Sequence, residues 1–164
     1  MSDLYKLDLA QAVARYALRD CKRKDYTTTF EHTQRVVSEV WHLGPHAAVV
    51  AWLHDVIEDS KIKASTISDL FGHDVTLDVM YLTNKPERTY QTYIRTLCYG
   101  GPTSALHVKL ADLKDNLNGA ERYGLSERYL WARERIQDEL IVRHQAAVLE
   151  EAGVRMSAFD EVSG

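Results

Sequence analysis

The sequence predicts an all-α fold, and three observations carry that expectation. No window of more than a few residues alternates apolar and polar positions, as a half-buried strand would require. Apolar residues recur instead at helical spacing along most of the chain. The three prolines, at 45, 86 and 102, each fall where a helix would begin, the position proline tolerates best.

The elements follow in order. A first helix is expected over about 7–19, with Leu9, Ala10, Val13, Ala14 and Ala17 on one face. A polar, basic connection comes next, containing Lys22, Arg23, Lys24 and Asp25. Thr28 and Glu31 have the spacing of a capping box, which starts a helix running to Trp41 on a stripe of Val36, Val37, Val40 and Trp41. A third helix is expected from Pro45 to Asp59. Its Ala47–Leu53 stretch is apolar all round, so it should be central. Short helices at about 66–71 and 74–83 are punctuated by Gly72, and another is expected over about 87–99, before the Gly100-Gly101-Pro102 turn. A second buried helix spans about 103–118. A last, heavily charged helix spans about 126–151, leaving a loose tail over 153–164.

Length and composition set the outer limits. The 164 residues suit one domain, residues 1–152, and 45% apolar content is enough for a true core. A net charge of −4 argues against duplex nucleic acid as a partner. The N-terminus lacks the pattern of a signal peptide, no apolar run is long enough to span a bilayer, and Cys21 and Cys98 match no disulfide or metal spacing. A reducing, cytoplasmic setting is the expectation. Oligomeric state is left open.

Chemistry concentrates where apolar helices carry charge. The central helix ends in His54, Asp55, Glu58 and Asp59, and four ionisable groups at the end of a core helix need compensation for burial. His54 and Glu58 are four apart, as are Asp55 and Asp59, so each pair shares a helical face, while His54 and Asp55 should splay slightly. The second buried helix sets Asp112 within an apolar run, with Asn116 one turn later. His32 lies one turn before Val36. Alone, each is an ordinary core or capping group. Together, two imidazoles and two carboxylates suit Mn2+, Fe2+, Zn2+ or Mg2+, with positions left for water and substrate. Lys109 reads as structural and turned away from Asp112. His42, His46, His73, His107 and His144 read as surface or packing residues.

His32, the His54-Asp55 pair and the distant Asp112 resemble the ligand pattern of the HD-domain phosphohydrolases. The run Leu53-His54-Asp55-Val56-Ile57-Glu58-Asp59-Ser60 is similar to the motif of the RelA/SpoT-type alarmone hydrolases. The likeness continues in Phe71-Gly72, Leu82-Thr83 and Val108-Lys109-Leu110-Ala111-Asp112, followed by Asn116, and covers roughly residues 10–120.

The resemblance implies an HD-type helical bundle with a divalent metal, Mn2+ foremost, held by His32, His54, Asp55 and Asp112. It implies Glu58 and Asp59 as catalytic carboxylates, and Arg23, Lys24 and Asn116 against a nucleotide. The activity it implies is removal of the 3′-pyrophosphate of (p)ppGpp. Two departures stand out: Thr33 replaces a proline, and Leu113-Lys114-Asp115-Asn116-Leu117-Asn118-Gly119 replaces Arg-Leu-His-Asn-Met-Arg-Thr, keeping the Asn. A nucleotidase of different substrate and a non-catalytic nucleotide-binding regulator remain alternatives.

Overall fold

The computed structural model describes residues 2–23, 27–118 and 120–153. Among them the regular elements are helical, and one isolated bridge, between Lys22 and Thr28, is the sole β pairing. The helices are α1 (Asp3–Leu18), α2 (Thr29–Val40), α3 (Pro45–Leu53), α4 (Val56–Asp59), α5 (Ala64–Phe71), α6 (His73–Leu82), α7 (Tyr90–Gly100), α8 (Thr103–Leu117) and α9 (Ser126–Glu151).

The α3 helix is the hub, because Ala47 through Leu53 are all buried and leave it no solvent face. It packs against α1, α2, α6 and α8. The α2 helix starts as its sequence dictates. The Thr28 hydroxyl accepts from the Glu31 amide (3.1 Å), and the Glu31 carboxylate accepts from the Thr28 amide (2.7 Å). Thr33, which stands where the resembled pattern has a proline, is buried and donates its hydroxyl to the Thr29 carbonyl (2.9 Å), so α2 continues through it. Gly72 separates α5 from α6 at φ +88°, a backbone state that disfavours any side chain. The long α9 lies along α7 and α8, burying Ala132 and Ile136. Among the described residues, no helix is long and apolar enough to cross a membrane.

Two expectations need correcting. The helix expected over Pro45–Asp59 is interrupted: Asp55 adopts φ −99°, ψ −4°, in the bridge region, and α4 begins after it. The Asp59 amide still reaches the Asp55 carbonyl (2.8 Å), so the chain keeps its course while the ladder relaxes locally. Pro86 does not begin a helix either. It sits in a turn, and α7 starts four residues later, where the Thr89 hydroxyl caps the Thr92 amide (3.1 Å).

Candidate metal centre

Three helices converge on one point. His32 comes from the first turn of α2, His54 from the C-terminal end of α3, and Asp112 from the middle of α8. All three are buried, and one donor atom from each lies within 4.8 Å of the others. Asp55 adds a carboxylate on one flank, its Oδ2 lying 3.2 Å from His54 Nε2 and 3.7 Å from His32 Nε2. Neighbouring residues His54 and Asp55 therefore converge where a regular helix would splay them, and the relaxed dihedrals at Asp55 account for it. The structure thus brings together the four residues read as ligands.

The hydrogen bonds behind the rings fix what they present. His54 Nδ1 lies 2.8 Å from the Ala51 carbonyl, an acceptor only, so Nδ1 carries the proton. His32 Nδ1 lies 2.6 Å from an Asp115 oxygen, and Asp115 is gripped by Arg35 through Nε (2.6 Å) and Nη2 (3.1 Å). In the neutral rings both Nε2 lone pairs then face inward, 3.3 Å apart, with Asp112 Oδ1 3.1 Å from the His32 nitrogen. Lone pairs and carboxylates that face each other at this range repel unless something cationic lies between them. A divalent cation fits that donor set, and its backing by a carboxylate and a carbonyl is the usual support for metal-binding imidazoles.

Protons can meet the same demand. Burial alone would lower the His54 pKa, but the charge and hydrogen bond of Asp55 prevail and lift it to about 9. Burial opposes protonation of His32 too, and hydrogen bonds with Asp112 and Asp115 outweigh it. For Asp112, burial acts upward, and the charge of Lys109 with the His32 contact drives it well below the usual range.

His54, Asp55 and Asp112 of the centre line a cavity of about 210 Å3 together with Glu58, Asp59, Arg23 and Asn116. The Glu58 Oε2 accepts from the Asn84 amide (2.9 Å), and Asp59 Oδ2 accepts from the Thr29 hydroxyl (3.3 Å). Burial raises the pKa of both carboxyls. The Asp55 charge raises both further, although the Asn84 amide offsets part of the effect at Glu58. Asn116 donates to Asp112 Oδ1 (2.5 Å) and accepts from Arg23, so the expected binding pair also braces a candidate ligand. Lys24 lies outside the described residues. A wider groove of about 730 Å3 shares Arg23, Glu58, Asp59 and Asn116 and adds Lys22 and Arg122.

Several contributors escaped the sequence reading. Lys109 does not turn away: its ammonium lies 2.7 Å from Asp112 Oδ2 and lines the cavity. Residues three apart on a helix are neighbours, so helical phase sets Lys109 beside Asp112. Asp115 shares the face of Asp112 by the same spacing, and that signal was available. Tyr90, Tyr93 and Arg128, which also line the cavity, carry no local pattern that sets them apart.

No protein-family model matches this chain, and no curated protein matches it in sequence. A solved structure matches it in fold, one described as "A metazoan ortholog of SpoT hydrolyzes ppGpp and plays a role in starvation responses". The two share a TM-score of 0.68 over 82% of this chain and 85% of that one, at 22% sequence identity. The all-helical fold expected from the sequence is the fold found, and that solved structure shares it.

Proposed function

We propose that this chain is a metal-dependent phosphohydrolase acting on a phosphorylated nucleotide, and that its substrate is (p)ppGpp, cleaved to GDP or GTP and pyrophosphate. The observation that carries the reading is the pair of buried ring nitrogens, 3.3 Å apart and flanked by Asp55 and Asp112, beside a cavity that two further carboxylates line. The likeness of fold to a ppGpp hydrolase supports the choice of substrate.

His32, His54, Asp55 and Asp112 hold the metal, with Mn2+ as the first candidate. When bound, it supplies Lewis acidity toward a phosphoryl oxygen and a lowered pKa for water. Glu58 and Asp59, both raised in pKa, orient the attacking water and take its proton. The Asn84 amide fixes the Glu58 carboxylate for that task. Arg23, held by Asn116, presents its planar fork to the phosphates, and Lys24 belongs to the same basic segment.

A second reading, a nucleotidase of different substrate, draws on one specific observation. In the departing stretch after Asp112, Lys114 pairs with Glu39 (2.7 Å) and Asp115 backs His32. Those two residues serve the scaffold and the metal centre, so the nucleotide must be recognised from elsewhere.

Incubation with ppGpp and Mn2+, with and without chelator, followed by anion-exchange chromatography, tests the proposal. Chelator-sensitive formation of GDP and pyrophosphate is expected. Orthophosphate released from another nucleotide, with ppGpp left intact, would favour the nucleotidase.

A further inference from the structure

The cavity beside the candidate metal centre holds donors that the centre does not consume. Lys109 and Tyr90 both line it, Lys109 from α8 and Tyr90 from the first residue of α7. The Lys109 side chain is only 13% exposed, and its described hydrogen bond goes to Asp112 Oδ2. An ammonium has three N–H donors, so two remain for the cavity and for the π-faces beside it. The Tyr93 ring centroid lies 5.2 Å from Lys109 Nζ and the Tyr90 centroid 6.0 Å.

Tyr90 supplies the sharper anomaly. Its hydroxyl is buried and has no hydrogen-bond partner among the described residues. A buried phenol without an acceptor is costly, and such groups ordinarily find one. The Arg128 guanidinium lies 3.9 Å from the Tyr90 ring centroid, so a second cation stands at the same place. The local inventory is thus one orphan O–H donor, one ammonium with spare N–H groups, and one guanidinium, beside a candidate metal centre. Acceptor-only oxygens with negative charge complement that inventory, and a phosphoryl group presents them in threes.

We infer that Lys109 and the Tyr90 hydroxyl form a phosphoryl-oxygen subsite, with Lys109 also holding Asp112 so that Oδ1 alone turns toward the imidazoles. The inference deepens the phosphohydrolase reading and rests on it. Lys109 contributes charge and an N–H donor to the bound phosphoryl group, and Tyr90 contributes direction. Arg128 keeps the Tyr90 ring in place by stacking.

The test uses the full chain, titrated first with Mn2+ and then, metal-loaded, with inorganic phosphate, each by calorimetry. Tyr90→Phe should bind Mn2+ as the wild type does and phosphate about tenfold more weakly, the loss of one hydrogen bond to a charged acceptor. Lys109→Met should weaken phosphate at least as much, and Lys109→Arg should recover most of the loss by restoring charge and donors. Tyr90→Phe deletes a single oxygen outside the ligand set, so the test survives if Lys109→Met fails to fold. Wild-type phosphate affinity in a metal-loaded Tyr90→Phe chain, or a metal-loaded wild type that binds no phosphate, overturns the subsite and leaves the metal centre standing. A wild type that binds no Mn2+ overturns the metal reading itself, and the subsite falls with it.

Discussion

His46 and His54 stand eight residues apart at opposite ends of α3, about 12 Å along its axis. His46 meets buried Asp78 and His54 meets half-buried Asp55, and α8 serves both sites, through Ser104 at one end and Asp112, which meets His32, eight residues on. At the His46 end the ledger of donors and acceptors closes. Asp78 Oδ1 accepts from the Ser104 hydroxyl (2.5 Å), and Oδ2 lies 2.9 Å from His46 Nε2, on a ring whose side chain is 46% exposed. At the His54 end it does not close, because two imidazole nitrogens and two carboxylates converge with acceptors in excess. A buried His–Asp contact is therefore structural where one donor meets each acceptor. Where the protons are already committed elsewhere, here to Ala51 and Asp115, the excess of acceptors is the chemistry that a cation would complement.

Breaking the unbalanced end should have the largest effect. Asp112→Ala should abolish Mn2+ binding and reduce turnover on the order of a thousandfold or more, read by calorimetry and product analysis. Glu58→Gln should leave Mn2+ affinity near wild type and lower kcat by about 10^2 to 10^4, the range for a lost general base. Retention of full kcat would remove Glu58 from the chemistry. Asp115→Asn leaves every ligand in place but weakens the backing of His32, and Mn2+ affinity should fall by about 10- to 100-fold.

The balanced end should answer in stability alone. Asp78→Ala strips the Ser104 hydroxyl and His46 of their acceptor and should cost about 2 kcal/mol in urea unfolding, with Mn2+ binding by the folded protein unchanged. The smallest effect concerns pH. The Asp78 hydrogen bond raises the pKa of His46 above 6.5, burial and Lys6 act against it, and the charges of Asp78 and Asp74 add to the rise. A raised folded-state pKa gives stability that is fully present below 6.5 and lost as pH climbs through the folded value. Wild type should therefore exceed His46→Gln in stability by more at pH 6 than at pH 9, a fraction of about 1 kcal/mol for so exposed a ring. Equal gaps at both values would show that His46 acts by packing.

The contrast between the two ends also marks what the sequence disclosed. The hub helix was legible from the apolar run Ala47–Leu53, the start of α2 from Thr28 and Glu31, and the α5–α6 boundary from Gly72, because each signal is local. Charge at the end of an apolar helix was legible too, and it singled out His54 and Asp55. The balance at each end was not. His46 meets Asp78 across 32 residues and His32 meets Asp115 across 83, and no local pattern encodes such distant pairings. The interruption at Asp55 was hidden for a different reason: its residues have adequate helical propensity, and the relaxed dihedrals bring its carboxylate to the His54 nitrogen. Lys109 needed only a correct helical phase. That the Tyr90 hydroxyl lacks a partner among the described residues could be seen only once the chain was folded.

The most direct test of the account is a Mn2+ titration followed by electron paramagnetic resonance, with wild type, Asp112→Ala and Asp78→Ala side by side. Chelator-reversible loss of the free-Mn2+ signal is expected in wild type and in Asp78→Ala, and none at matched concentration in Asp112→Ala. Equal binding by wild type and Asp112→Ala, or none by a folded wild type, would contradict it.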